Sequence, residues 1–189
     1  MKICVYGASS NNIHESFIKN TEELGFKLAS RGHSLVFGGG TNGLMGAIAR
    51  GTTRGGGEVI GVAPTFFNVD GVLYEACTKM IPTETMRERK QIMEDLSDAF
   101  IMTPGGIGTF EEFFEILTLK QLARHAKPIA IFNVDGFYDP LLAFLQHAID
   151  EGFMNERAKN MFDVFTDADA LLDYLETDKK EAMLYKDFK

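Results

Sequence analysis

Two short stretches of this chain combine side chains that can act on a substrate. One reads Pro104-Gly105-Gly106-Ile107-Gly108-Thr109-Phe110-Glu111-Glu112, a glycine-rich turn running straight into two carboxylates. The other reads Met86-Arg87-Glu88-Arg89-Lys90 and supplies positive charge, with Glu84, Glu88 and Glu94 around it. From composition alone the second stretch is a solvated, ion-paired helix face. The first carries more chemistry. Glycine lets backbone amides approach a ligand closely, and a helix start adds partial positive charge, so such a loop suits a phosphate. Carboxylates in a first helical turn are favoured by the macrodipole, a sufficient structural reason for them. Beside a bound phosphate they would repel the ligand unless they had another task. Adjacent helical residues point about 100° apart, so one of Glu111 and Glu112, not both, faces a given ligand.

Two further glycine loops fit the same chemistry, Gly7-Ala8-Ser9-Ser10 and Gly38-Gly39-Gly40-Thr41-Asn42-Gly43-Leu44-Met45-Gly46. The loops at 7–10 and 104–109 lack the G-x-G-x-x-G dinucleotide fingerprint, and no loop ends in G-K-[ST]. A mononucleotide phosphate fits better than a dinucleotide or a triphosphate. Gly55-Gly56-Gly57 follows a helical stretch and reads as a stop signal.

The elements that must hold these loops are legible as short apolar runs alternating with longer amphipathic stretches. Strands are expected at 3–6, 34–37, 59–63, 78–81, 99–103, 128–132 and 164–165. Helices are expected at 16–31, 43–54, 84–96, 109–125, 138–151 and 167–175. This alternation means βαβ units, and the nearly all-apolar strands mean helices on both faces. The fold class is α/β, a Rossmann-like doubly wound parallel sheet in a single domain over residues 1–177, followed by a charged tail at 178–189. In such a sheet ligands bind outside the carboxyl ends of the strands, where all three glycine loops fall. Asn-Val-Asp-Gly occurs at 68–71 and again at 133–136, read as two turns.

At this point the chain is recognisable. Met86-Arg87-Glu88-Arg89-Lys90 fits M-x-x-R-K, and residues 104–112 fit P-G-G-x-G-T-x-x-E. Together they resemble the signature pair of the Lonely Guy (LOG) family, the cytokinin riboside 5′-monophosphate phosphoribohydrolases, whose members often carry the label lysine decarboxylase. Residues 38–46 and Phe132-Asn133-Val134-Asp135-Gly136-Phe137-Tyr138 resemble that family's second loop and its later strand and turn. The likeness spans about residues 2–175. It implies Arg89 and Glu112 as the catalytic pair. It implies Lys90, Gly106, Ile107, Gly108, Thr109, Phe110, Glu111 and Thr118 as substrate contacts. To these the loop reading adds Ser9, Gly39, Gly40 and Gly105. The implied reaction is hydrolysis of the N-glycosidic bond of a nucleoside 5′-monophosphate, with no cofactor and no metal, in a homodimer. The chain departs from the family pattern at Thr65-Phe66-Phe67, where a polar substrate contact is expected.

Composition bounds the alternatives. The chain has 189 residues and 21.0 kDa, enough to bury a core without staples. Lys plus Arg is 19 and Asp plus Glu is 27, a net charge of −8, which disfavours a nucleic-acid partner. Cys4 and Cys77 have no ligand spacing and read as small buried hydrophobes. His14, His33, His125 and His147 show no metal spacing either. No apolar run reaches membrane-spanning length and no leader is evident, so a cytoplasmic protein is expected. Phe113, Phe114, Leu117 and Leu122 recur at helical spacing and could serve a dimer face, with core packing the default. A pyridoxal-dependent decarboxylase needs a larger site than these loops provide. A non-catalytic nucleotide or cofactor carrier on the same fold is the stronger rival, but it leaves Glu112 without a purpose.

Overall fold

Each early strand is apolar in both phases of its period-two repeat. In β1 (Lys2–Tyr6), Ile3 and Val5 enter one core while Cys4 and Tyr6 enter the other. In β5 (Ala99–Met102), Ala99 and Ile101 side with the first, Phe100 and Met102 with the second. A strand of this kind is stable only between two layers of helix. The computed structural model describes residues 1–177 and shows that sandwich. The other strands are β2 (Ser34–Phe37), β3 (Val59–Pro64), β4 (Lys79–Thr83), β6 (Ile129–Phe132) and β7 (Asp163–Phe165). They form one sheet in the order β4-β3-β2-β1-β5-β6-β7, with every neighbouring pair parallel.

Helices α1 (Glu15–Ser30), α2 (Gly43–Arg54) and α6 (Ala168–Thr177) cover the first face. Helices α3 (Met86–Leu96), α4 (Ile107–Gln121) and α5 (Asp139–Asp150) cover the second. The chain winds outward from β1 to β4, returns to β5 on the other flank of β1, and winds outward again. The strand order therefore switches between β1 and β5, and the crevice at their carboxyl ends is where the exit loops diverge. No helix among the described residues is long and apolar enough to cross a membrane.

Three boundaries differ from expectation for physical reasons. β4 continues through Pro82 to Thr83; it is an edge strand, where a residue without an N–H costs no ladder bond on its open side. α4 begins at Ile107 rather than 109, so the acids once placed in its first turn stand in its second, and the first turn carries none. It ends at Gln121 rather than 125, because Ala123 takes a positive φ of 56° and Arg124 N–H folds back on the Leu119 carbonyl. Short 3-10 turns at Thr65–Phe67 and Glu156–Met161 were not foreseen. The charged tail at 178–189 lies outside the described residues. Cys4 is buried and Cys77 half-buried, both free thiols.

The layer over β1 and β2 depends on a close helix crossing. A Cβ at Gly51 of α2 would collide with the Glu22 carbonyl of α1, and one at Gly25 with the Ile48 carbonyl. Gly51→Ala should therefore destabilise the protein by about 1–3 kcal/mol, as overpacking does. Helix propensity alone would instead stabilise by roughly 1 kcal/mol. Urea unfolding of the two proteins decides between the signs.

Candidate active site

The positive half of the site is set by the start of α3. The Thr85 hydroxyl accepts from Glu88 N–H at 3.1 Å, and the Glu88 carboxylate accepts from Glu84 N–H at 2.8 Å. These caps start the helix at Met86 and put Arg89 at the end of its first turn, over the carboxyl edge of the sheet. Arg89 is 7% exposed. Its Nε donates to the Val62 carbonyl at 3.1 Å and its Nη1 meets Glu112 Oε1 at 3.0 Å. Gly38, at the exit of β2, makes room for this: a Cβ there would collide with the Arg89 guanidinium.

The negative half comes from α4. Its N-cap is Gly106, with no side-chain hydrogen bond, so the first amides of the helix have no side-chain partner. Gly106 and Gly108 have open space where a Cβ would stand. Glu112 lies on the same flank as Thr109, one turn on, facing the cleft. Burial pushes its carboxyl above the usual carboxylate range, while the Arg89 charge pulls it back. Helix-start amides, a buried carboxylate and a buried guanidinium thus converge on one cleft of about 540 Å³.

The cleft gathers Arg89, Glu112, Ser9, Gly40, Gly106, Ile107, Gly108 and Thr109 from the expected residues. It leaves out the others. Lys90 is turned about 100° from Arg89 and points to a separate groove of about 690 Å³, where it pairs with Glu111 and, at 2.8 Å, with Glu115. Glu111 goes with it, so the two adjacent acids serve different surfaces. Gly105 is tucked against Thr109, and Gly39 faces Ala63 and Met80. Phe110 packs edge-on to Tyr138. The Thr118 hydroxyl donates to the Phe114 carbonyl at 2.7 Å, down the helix from the cleft.

An apolar wall completes the cleft, built from Met45, Phe67, Val72, Leu73 and Met86. Backbone pairing brings it there. Thr41 N–H donates to the Val72 carbonyl at 3.0 Å and Tyr74 N–H to the Gly39 carbonyl at 2.8 Å, around an antiparallel bridge of Gly40 and Leu73. Met45 and Met86 sit inside stretches already conspicuous in the sequence and could have been found there. Phe67 belongs to the Thr65-Phe66-Phe67 stretch where a substrate contact is expected, whereas Val72 and Leu73 carry no such signal, because only the bridge places them. Among the described residues, no group of three or more His, Cys, Asp or Glu converges as a metal site.

Fold and cleft together define a Rossmann-like α/β protein with its site at the topological switch. The family described as "Possible lysine decarboxylase" matches residues 45–175. The chain is 40% identical over 175 residues to cytokinin riboside 5′-monophosphate phosphoribohydrolase LOG2 of Arabidopsis thaliana, covering 93% of this chain and 82% of that protein. It is 42% identical over 175 residues to the probable cytokinin riboside 5′-monophosphate phosphoribohydrolase LOGL9 of Oryza sativa subsp. japonica, covering 93% and 77%. The chain belongs to this family, the LOG family. Among solved structures, a molybdenum cofactor binding protein from Rippkaea orientalis superposes with a TM-score of 0.72 at 22% identity, covering 93% of this chain and 95% of that one. The molybdenum cofactor carrier protein of Chlamydomonas reinhardtii gives 0.70 at 23%, covering 94% and 98%. At that identity the likeness speaks to the fold alone.

Proposed function

We propose that this protein is a phosphoribohydrolase, cleaving the N-glycosidic bond of a nucleoside 5′-monophosphate to free base and ribose 5-phosphate. The observation that carries the reading is Glu112: a carboxylate withdrawn from water, paired to Arg89, and aimed into a cleft that also holds uncapped helix-start amides. The names of the 40%-identical relatives support the same reaction. They also support a cytokinin riboside monophosphate or an AMP-like substrate, and the apolar wall suits a base with an apolar substituent.

In the proposed reaction the 5′-phosphate rests on the amides of residues 106–109 and the Thr109 hydroxyl, which orients the ribose. Glycosyl cleavage passes through an oxocarbenium-like state, which an ionised Glu112 stabilises. The bond between the anomeric carbon and the base nitrogen breaks, with the electron pair leaving on the base. Water adds to the anomeric carbon and gives its proton to Glu112; a proton from solvent completes the free base. General-base help of this kind is worth about 10²–10⁴ in rate. A guanidinium stays charged, so Arg89 serves by fixing Glu112 and by electrostatics rather than as an acid. A pure carrier would have no use for a buried carboxylate next to a bound phosphate, which favours the enzyme.

A homodimer belongs to the same reading. α4 is apolar on more than one side: Phe113 and Leu117 are buried, yet Phe110, Phe114 and Leu119 are half-buried and Ile107 is 86% exposed. A cytoplasmic location suits the two free thiols.

Two experiments test these statements. Incubation with a panel of nucleoside 5′-monophosphates and their nucleosides, with free base measured by chromatography, should show the monophosphates cleaved far faster. Equal turnover of adenosine and its monophosphate would remove the role given to the α4 amides, and no base release from any of them would remove the activity. Light scattering should give twice the chain mass at micromolar concentration; the mass of a single chain would contradict the dimer.

A further inference from the structure

The loop that receives the phosphate in the proposed reaction is held from beneath by a residue that never reaches the cleft. Tyr138 is fully buried, and its hydroxyl donates to the Thr103 carbonyl at 2.7 Å, at the very start of the Thr103-Pro104-Gly105 turn. Thr103 is itself fixed to the sheet: its own N–H and hydroxyl both donate to the Tyr6 carbonyl at 2.9 Å. The next carbonyl, of Pro104, accepts from Ala8 N–H at 3.1 Å, which ties the turn to the exit loop of β1. Burial raises the Tyr138 phenol well above its ordinary range, against a hydrogen bond from the Gly105 backbone, so the hydroxyl remains a donor at any working pH.

The chain invests a strained turn in delivering this one hydroxyl. Asp135 and Gly136 both take positive φ, 51° and 71°. The Asn133 side chain locks the turn from inside: its Oδ1 accepts from Tyr138 N–H at 2.7 Å and its Nδ2 donates to Asp139 Oδ1 at 2.7 Å. From outside, the Ser16 hydroxyl donates to Asp135 Oδ2 at 2.6 Å and Phe17 packs edge-on to Phe137. Positive φ at a non-glycine residue is unfavourable and persists where the surroundings over-determine it. Core packing alone would be met by phenylalanine, and among the described residues the hydroxyl bonds only to the turn before α4.

We propose that Tyr138 is a positioning residue for phosphate recognition, its hydroxyl holding the Thr103-Pro104-Gly105 turn so that the first amides of α4 stay aimed into the cleft. This rests on the reading of those amides as the 5′-phosphate site. Tyr138→Phe removes the hydroxyl and keeps the ring. Ribose 5-phosphate binding, measured by calorimetry, should weaken about tenfold. The KM for a nucleoside 5′-monophosphate should rise by a similar factor with kcat retained, while the slow turnover of the unphosphorylated nucleoside stays unchanged. Asn133→Ala, which frees the main chain of Tyr138, should move binding in the same direction. A variant that is merely less folded would lose kcat on both substrates with KM unchanged, and that result would overturn the proposal. Unchanged ribose 5-phosphate affinity in Tyr138→Phe would overturn it too, with the phosphate site intact. Failure of the native protein to bind ribose 5-phosphate would instead overturn the phosphate site itself.

Discussion

At the carboxyl edge of the sheet a guanidinium and a carboxylate are held together almost out of reach of water. Arg89 and Glu112 side chains are 8% and 11% exposed and meet at 3.0 Å. Withdrawing two charges from water costs several kcal/mol per ion, and removing one partner of such a pair costs about 3–5 kcal/mol. The pair therefore constrains everything around it. β3 must present the Val62 carbonyl to Arg89 Nε, Gly38 must remain without a side chain, and α3 must start at a fixed residue. A buried ion pair is weak evidence for stability, since apolar residues of similar volume would often serve as well. Its placement beside uncapped helix amides points to chemistry instead.

Adjacent positions on the two helices separate this pair from a second set of charges. Lys90 follows Arg89 and Glu111 precedes Glu112, and the helical rotation sends both to the outer groove, where Glu115 joins them. That network is partly solvated and ties α3 to α4. The cleft thus keeps one buried carboxylate and one buried cation, and the opposite wall is apolar. Burial raises the proton affinity of that carboxyl and the Arg89 guanidinium opposes the rise, with smaller opposing contributions from Glu111 and Lys90 in the outer groove.

Much of this was legible in the residues. The unbroken apolar runs at 3–6 and 99–103 require strands covered on both faces, and the glycine loops then fall at the carboxyl edge of the sheet. The pairing of residues 86–90 with 104–112 followed from resemblance, not from spacing, because nothing in the chain says that positions 89 and 112 touch. The start of α4 lies two residues before the one its sequence suggests, since a Gly106 N-cap offers no polar side chain to mark it. Phe110, Glu111 and Thr118 rest on the resemblance alone, and in this fold they do not line the cleft. Lys90 likewise rests on the resemblance, and here it lines the outer groove. Val72 and Leu73 depend on a bridge between backbone groups, which side-chain types do not announce.

If Arg89 and Glu112 act as one unit, substitutions at the two must not compound. The most direct test is kcat/KM for a nucleoside 5′-monophosphate in Glu112→Gln, Glu111→Gln, Arg89→Ala and the Arg89→Ala, Glu112→Gln double variant. Glu112→Gln should fold and lose about 10²-fold or more, Glu111→Gln should stay within about fivefold, and the double variant should be no worse than its worse parent. An inactive Glu111→Gln beside an active Glu112→Gln, or losses that multiply in the double variant, would contradict the account.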